Sequence, residues 1–191
     1  MNLIKFYEVI DKIETHGGLG MRTPNGTSRM IYGLTKAIDA KVYVDVGTFV
    51  GLTCLWAARA MEENGGNGKV YTVELDSKWL EMAIQFAKDA GLAHRIEFVL
   101  SDSRNFLPLL PVEKIDLALL DSGDKDLYQT DFENIEDKIT NDTIILAHDV
   151  IEQDKVPFHS AWKFKEYIDT RKEYNSFLIP QEYGTLIIRK K

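Results

Sequence analysis

Val44-Asp45-Val46-Gly47-Thr48-Phe49-Val50-Gly51-Leu52-Thr53 is the stretch that decides how this chain folds. A short apolar run carries an acid near its end, and glycines follow at 47 and 51. Glycine lets the backbone turn tightly and lets a ligand come close to it. From Leu52 an apolar helix begins, whose first N–H groups have no partner within the helix and face whatever lies before the turn. The stretch therefore reads as strand, turn, helix. Its glycines are spaced G-x-x-x-G, whereas the dinucleotide fingerprint G-x-G-x-x-G places the first two one residue apart to admit a pyrophosphate.

Outward from this turn the same alternation repeats. Strands are expected at 41–46, 69–75, 95–100, 114–120 and 143–148, with helices starting near Leu52, Ser77, Ser103 and Leu127. The helix from Ser77 is well specified, since Trp79, Leu80, Ala83, Ile84, Ala87 and Ala90 share a face and Gly91 ends it. Runs such as Ile115-Asp116-Leu117-Ala118-Leu119-Leu120 suit strands covered on both faces. Alternation of this kind builds a parallel sheet with right-handed crossovers. The end differs: after a helix around Trp162–Ile168, Tyr174–Ile179 and Thr185–Ile188 are separated only by residues 180–184, which permits a hairpin and no parallel crossover. The expected fold is an α/β, Rossmann-like doubly wound sheet, mostly parallel, with a C-terminal antiparallel hairpin. Before it, Leu3, Phe6, Tyr7, Ile10 and Ile13 form one N-terminal helix that stops at the glycines after His16. Thr23-Pro24 opens a second helix, with Met30, Ile31, Leu34, Ala37 and Ile38 on its apolar face. The chain reads as one domain over 1–191, with 1–40 as a helical cap segment.

Composition bounds the function. The chain has 191 residues, 45% of them hydrophobic and 28% charged, with a formal net charge of −7. Phosphate neutralisation needs clustered Lys and Arg, and only Arg189-Lys190-Lys191 forms a basic run, so nucleic acid is not an expected partner. The one cysteine, Cys54, excludes an intrachain disulfide framework and reads as a packed core thiol. With no signal-peptide pattern and no transmembrane stretch, a cytoplasmic protein without membrane contact is expected. The apolar face of the first helix could serve a homodimer as easily as a lid.

In open α/β sheets ligands sit beyond the carboxyl ends of the strands. An acid stands there after every expected parallel strand: Asp45, Glu74, Asp102, Asp121 and Asp149. Strand ends reach solvent, where Asp often caps the next helix, so any one acid has an ordinary explanation. Asp45 does not, because between Val44 and Val46 a carboxylate must be paired or hydrogen-bonded to offset its desolvation.

With these residues in this order, the chain resembles the class I S-adenosylmethionine-dependent methyltransferases, the 44–53 stretch matching their first motif. It is most similar to small-molecule O-methyltransferases of the catechol and caffeoyl-coenzyme A type and to related bacterial families. The segment Met21-Arg22-Thr23-Pro24 is similar to their cofactor-covering segment. The resemblance implies that S-adenosylmethionine is the cofactor. It places Asp45 at the amino-acid end, directly or through water, Gly47, Thr48 and Gly51 around the turn, Glu74 on the ribose hydroxyls, Asp102 and Ser103 at the adenine, and Asp121 among the cofactor-binding residues.

After the fourth strand runs Asp121-Ser122-Gly123-Asp124-Lys125-Asp126-Leu127-Tyr128. The metal-dependent relatives carry D-x-D-K-D-x-Y here, and the match needs one inserted residue after Ser122. By that resemblance Asp121 is a metal ligand and Lys125 lies near the acceptor hydroxyl, although a lysine among acids can equally be a solvated one. The fifth strand ends in His148-Asp149 where catechol-type enzymes have Asp-Asn. His148 could be a general base, since its pKa lies near neutrality. It could instead join Asp121 and Asp149 on a divalent cation such as Mg²⁺, or simply be packed at a strand end. His16, His94 and His159 receive no role. The expected function is methylation, at oxygen, of a small-molecule acceptor. A nicotinamide-dependent oxidoreductase and a non-catalytic S-adenosylmethionine-binding module stay open as alternatives.

Overall fold

Alternate residues of a strand face opposite sides of a sheet, and this rule sorts the core of the computed structural model, which describes residues 2–15, 25–151, 160–181 and 183–191. The strands are β1 Val42–Val46, β2 Lys69–Glu74, β3 Ile96–Leu100, β4 Ile115–Leu120, β5 Ile139–His148, β6 Tyr174–Ile179 and β7 Thr185–Lys190. They form one sheet in the order β3-β2-β1-β4-β5-β7-β6. The first five are parallel, and β7 runs antiparallel between β5 and β6. The mostly parallel sheet with a closing antiparallel pair is thus present, with β7 inside the edge and β6 on it.

The helices are α1 Leu3–Thr15, α2 Asn25–Ala37, α3 Leu52–Asn64, α4 Ser77–Asp89, α5 Ser103–Phe106, α6 Tyr128–Ile135 and α7 Ala161–Thr170. On one face of the sheet, Tyr43, Val70, Ile96, Leu117, Leu119, Ile144 and Leu146 pack with residues of α1, α2, α3 and α4. On the other, Val44, Val46, Val73, Ala118, Leu120, Ile145 and Ala147 pack with α6 and α7. Residues Leu52 to Met61 of α3 are all buried, as an apolar helix lying between a sheet and other helices requires. Arg59 is the exception in chemistry. Its guanidinium lies 4.8 Å from the Phe6 ring centre and 5.1 Å from that of Tyr32, and its Nε donates to Glu63 at 2.8 Å. It fastens α1 and α2 to α3 by cation–π contact. Phe6, Val9, Ile10 and Ile13 of α1 are buried, whereas Leu3, Ile4 and Tyr7 are exposed.

Most expected strand ends hold to within one residue, and three elements call for comment. β5 starts at Ile139 instead of 143, because the β4–β5 register advances two residues on β4, from Ile115 to Leu117, and five on β5, from Ile139 to Ile144. The polar excursion is held by Thr143, whose hydroxyl donates to the Ile115 carbonyl at 2.6 Å and accepts from Thr140 N–H at 2.9 Å. α5 is a single turn, ended by the 3₁₀ turn that contains Pro108. β7 extends to Lys190 through pairing with β6. The expected helix start at Thr23-Pro24, the covering segment 21–24, His16 and His159 lie outside the described residues. No helix among the described residues is long and apolar enough to cross a membrane.

Candidate active site

The strand order turns round between β1 and β4, and there the crevice at the carboxyl edge opens. Gly47 stands at this point with φ 99°. A Cβ built on it would lie 2.6 Å from the Asp121 carbonyl oxygen and 3.0 Å from Ser122 Cα, so only glycine lets β1 leave the sheet past the end of β4. Phe49 and Gly51 also have left-handed backbones. Gly47 N–H and Thr48 N–H both donate to the Val73 carbonyl, at 3.1 and 3.3 Å. The Thr48 hydroxyl pairs with that of Thr72 at 2.5 Å, so its side chain belongs to the core and only its backbone shapes the turn.

Asp45 departs from its expected position. It shares its face of β1 with Tyr43 and so points beneath the first turn of α3, fully enclosed at 0% exposure. Tyr43 OH and Cys54 Sγ donate to its carboxylate at 2.8 Å each, Thr53 Oγ1 at 3.0 Å and Thr72 Oγ1 at 3.3 Å. Burial pushes its pKa up to about 6 against the lowering effect of those bonds. The acid ties β1, β2 and α3 together behind the turn, and the expected contact with a ligand's amino-acid end has no open carboxylate face here. Cys54 is the buried thiol expected, with the added task of donating to Asp45.

The next two acids stand at the carboxyl ends of β2 and β3. Glu74 accepts from Phe49 N–H at 2.8 Å through one oxygen, and from Leu75 and Asp76 N–H at 2.8 and 3.0 Å through the other. It thereby ties the end of β2 to the glycine turn. Asp102 caps α5 through Arg104 N–H at 2.9 Å and is clamped by the Arg104 guanidinium, which holds its pKa down to about 2. Ser103 turns its hydroxyl away from the edge and donates to Asp131 at 2.6 Å.

Asp131, on α6, had no signal in the sequence beyond its place in an amphipathic helix. Its second oxygen is buried without a hydrogen-bond partner among the described residues. Burial raises its pKa from 3.8 to about 6, against the Ser103 bond. The folded state therefore takes up a proton before the unfolded chain does, and this carboxyl adds stability as pH falls from about 6 toward 4. Above that window the enclosed charge costs up to about 3 kcal/mol. Asp131→Asn is accordingly expected to melt higher than the wild type near pH 8, the gap narrowing below pH 6 and closing only toward about pH 4. Thermal unfolding of both proteins across pH checks this, and a gap that does not change with pH would refute it.

At the ends of β4 and β5 five side chains meet. The Lys125 amine, 5% exposed, lies 2.8 Å from Asp121 Oδ1, 3.0 Å from Asp149 Oδ2 and 2.8 Å from Tyr128 OH. Tyr128 OH in turn donates to the His148 carbonyl at 3.1 Å. Burial pushes the lysine pKa down, but Asp121, Tyr128 and Asp149 more than offset it and the group stays an ammonium. Burial likewise pushes the Asp121 carboxyl up, and Lys125 and His148 bring it far below the usual range. His148, 2% exposed, sets Nδ1 3.4 Å from Asp121 and 3.1 Å from Asp149. Its pKa is lowered by burial and raised further by Asp121 and Asp149. Its Nε2 is buried without a hydrogen-bond partner among the described residues. Asp149 has a left-handed backbone, φ 59°, which turns the chain sharply after β5.

Asp121, His148 and Asp149 each offer a ligand atom, and these atoms lie within 4.8 Å of one another, a set that could hold a metal ion. The structure thus gathers Asp121, Lys125, His148 and Asp149 at one place, as expected, and adds Tyr128. That tyrosine was legible only as the i+3 partner of Lys125 in the 121–128 stretch. His94 instead meets Glu62 at the surface, at 3.2 Å.

A family profile described as a methyltransferase domain matches residues 44–150, more than half of the chain. Tapetum-specific methyltransferase 1 of Arabidopsis thaliana is 32% identical over 114 residues, 58% of this chain and 48% of that protein. Catechol O-methyltransferase of Mycobacterium tuberculosis is 34% identical over 89 residues, 47% of this chain and 39% of that protein. The chain spans about half the length of the curated relatives it matches. Among solved structures, the SAH-bound methyltransferase of Podospora anserina aligns with a TM-score of 0.84 at 18% identity, covering 98% of this chain and 88% of that one, a likeness of fold.

Proposed function

The chain belongs to the methyltransferase-domain family, and from that premise we propose that it moves a methyl group from S-adenosylmethionine to a hydroxyl of a small molecule. The observation that carries this reading is the Glu74 carboxylate bound to Phe49 N–H, which sets an acid beside the glycine turn at the switch point. The donor set fits a cationic cofactor that carries hydroxyls: the crevice edge bears Glu74, Asp102 and Asp121, and the cations near it, Arg104 and Lys125, are paired with acids.

S-adenosylmethionine, when bound, would supply a methyl group activated by its sulfonium. Glu74 has one acceptor site beyond the three N–H groups it already serves, out of about four on a carboxylate, and would take a ribose hydroxyl there. Asp102 and the Ser103 backbone would meet the adenine. Gly47, Thr48 and Gly51 would shape the backbone around the amino-acid end, and Asp45 would hold that turn from behind. Asp121 would stand between cofactor and acceptor.

Methyl transfer is an in-line displacement, so the protein's work is to position the acceptor and remove its proton. We assign the proton to His148 rather than to Lys125. A proton kept on Nδ1 by Asp121 and Asp149 leaves Nε2 as the nitrogen with a lone pair. Lys125 spends its three N–H groups on Asp121, Asp149 and Tyr128 and keeps its charge, which makes it a positioning residue. A divalent cation such as Mg²⁺ at Asp121, His148 and Asp149 is favoured by the spacing of those atoms. It does not fit while the lysine ammonium lies between the two carboxylates. The whole chain, with its N-terminal helices, would form the one domain that does this work.

Calorimetry with S-adenosylmethionine tests the first half of the proposal. The wild type should bind it in preference to NAD, and Glu74→Ala should weaken binding by about 10–100-fold, the worth of one hydrogen bond to a charged group. Its melting temperature should fall as well, because the Phe49, Leu75 and Asp76 N–H groups lose their acceptor. Binding of NAD alone would overturn the proposal. Release of S-adenosylhomocysteine across a panel of hydroxylated acceptors tests the second half, and its absence with every acceptor would favour a cofactor-binding module that methylates nothing.

A further inference from the structure

We propose that the Lys125 ammonium is the resident cation of the Asp121–His148–Asp149 cluster, and that a divalent metal takes this place only by displacing it. The case rests on how completely the amine is used. An ammonium has three N–H donors. Here three acceptors lie within reach, Asp121 Oδ1 at 2.8 Å, Asp149 Oδ2 at 3.0 Å and Tyr128 OH at 2.8 Å. The lysine stem is buried, and Nζ lies 5.1 Å from the centre of the Tyr128 ring, a further contact that favours the cation where it is.

Geometry makes the two cations exclusive. A magnesium ion holds carboxylate oxygens at about 2.0–2.1 Å in an octahedron. The carboxylates it would need, those of Asp121 and Asp149, are the two the ammonium already bridges. Metal and ammonium on the same pair of carboxylates would face each other at short range in a low-dielectric setting, where like charges repel strongly. Removing the lysine reverses the balance, because two carboxylates and a histidine would then be left without a cation. A buried unpaired charge is costly, and a metal ion is the simplest group to offset it. The inserted residue after Ser122 is what sequence offers for this difference: Lys125 follows Asp121 at i+4, the spacing of the ion pair observed. The inference does not depend on the methyl-transfer reading, since it concerns what the cluster holds with or without a cofactor.

Manganese binding, followed by its paramagnetic resonance signal, tests it on the full chain. Wild-type protein should bind Mn²⁺ only weakly. Lys125→Met should bind it at least about 10–100-fold more tightly, the range by which groups around a metal's ligands alter affinity. Asp149→Asn added to Lys125→Met should remove the gain. Lys125→Arg, which keeps the charge, should behave like the wild type. Wild-type protein that binds Mn²⁺ as tightly as Lys125→Met would overturn the proposal, and so would a Lys125→Met protein that gains no affinity. Should Lys125→Met fail to fold, the nitrogen-15 spectrum of the wild-type lysine ammonium decides. Its slowly exchanging signal should survive millimolar Mg²⁺, and its loss on Mg²⁺ addition would refute the proposal.

Discussion

Gly47→Ala should lower the melting temperature by about 5–15 °C. Two costs add at this position. A non-glycine residue held at positive φ loses about 1–2 kcal/mol, and Gly47 has φ 99°. The new Cβ would also sit 2.6 Å from the Asp121 carbonyl oxygen. That neighbour is backbone at the end of β4, so a strand end must move, at the roughly 1–3 kcal/mol typical of overpacking. A domain of this size loses about 2–4 °C per kcal/mol. Because the shifted backbone is also the floor of the crevice, cofactor affinity should fall with stability, and a substitution here cannot separate the two. Gly33→Ala is the control. It lies within α2 with nothing within 4 Å of its built Cβ, and alanine there should add about 0.5–1 kcal/mol. Equal melting temperatures for Gly47→Ala and the wild type would mean that the β1–β4 junction is not the tight contact described.

His148→Ala should lower kcat by about 10²–10⁴-fold, the usual contribution of a general base, with S-adenosylmethionine affinity nearly unchanged. The reason for the split is position. His148 stands at the end of β5, whereas Glu74 and the glycine turn stand at the ends of β2 and β1, across the switch point. Lys125→Ala should also reduce turnover, by loosening Asp121 and Asp149 around the His148 ring, and it should lower the melting temperature as well, because two acids lose their shared partner. Single-turnover rates with a responsive acceptor, measured beside cofactor binding, distinguish the two residues. Full turnover in the histidine variant, with a dead lysine variant, would reverse the assignment of the base.

The strand–turn–helix at 44–53, the alternation that follows it and the short link before the last strand are local patterns. The fold class was therefore legible from residue order alone. Periodicity and glycine spacing act within a few residues, and a parallel sheet allows few topologies once its crossovers are right-handed. The acids at the strand ends were legible for the same reason, since a strand's carboxyl end is a position in sequence. What those acids do was decided by tertiary structure. Asp45 and Glu74 look alike as acids at strand ends, yet one faces the sheet side that α3 covers and the other the backbone of the glycine turn. Strand parity assigns Asp45 to the face of Tyr43, but only the packing of α3 shows that this face is closed. Asp131 became a buried carboxyl because Ser103 meets it from another element. The lysine between Asp121 and Asp149 followed from the bend after β4 and the left-handed turn at Asp149 together. Charge and hydrogen bonding depend on distances of about 3 Å between groups far apart in the chain, and those distances exist only once the sheet has assembled.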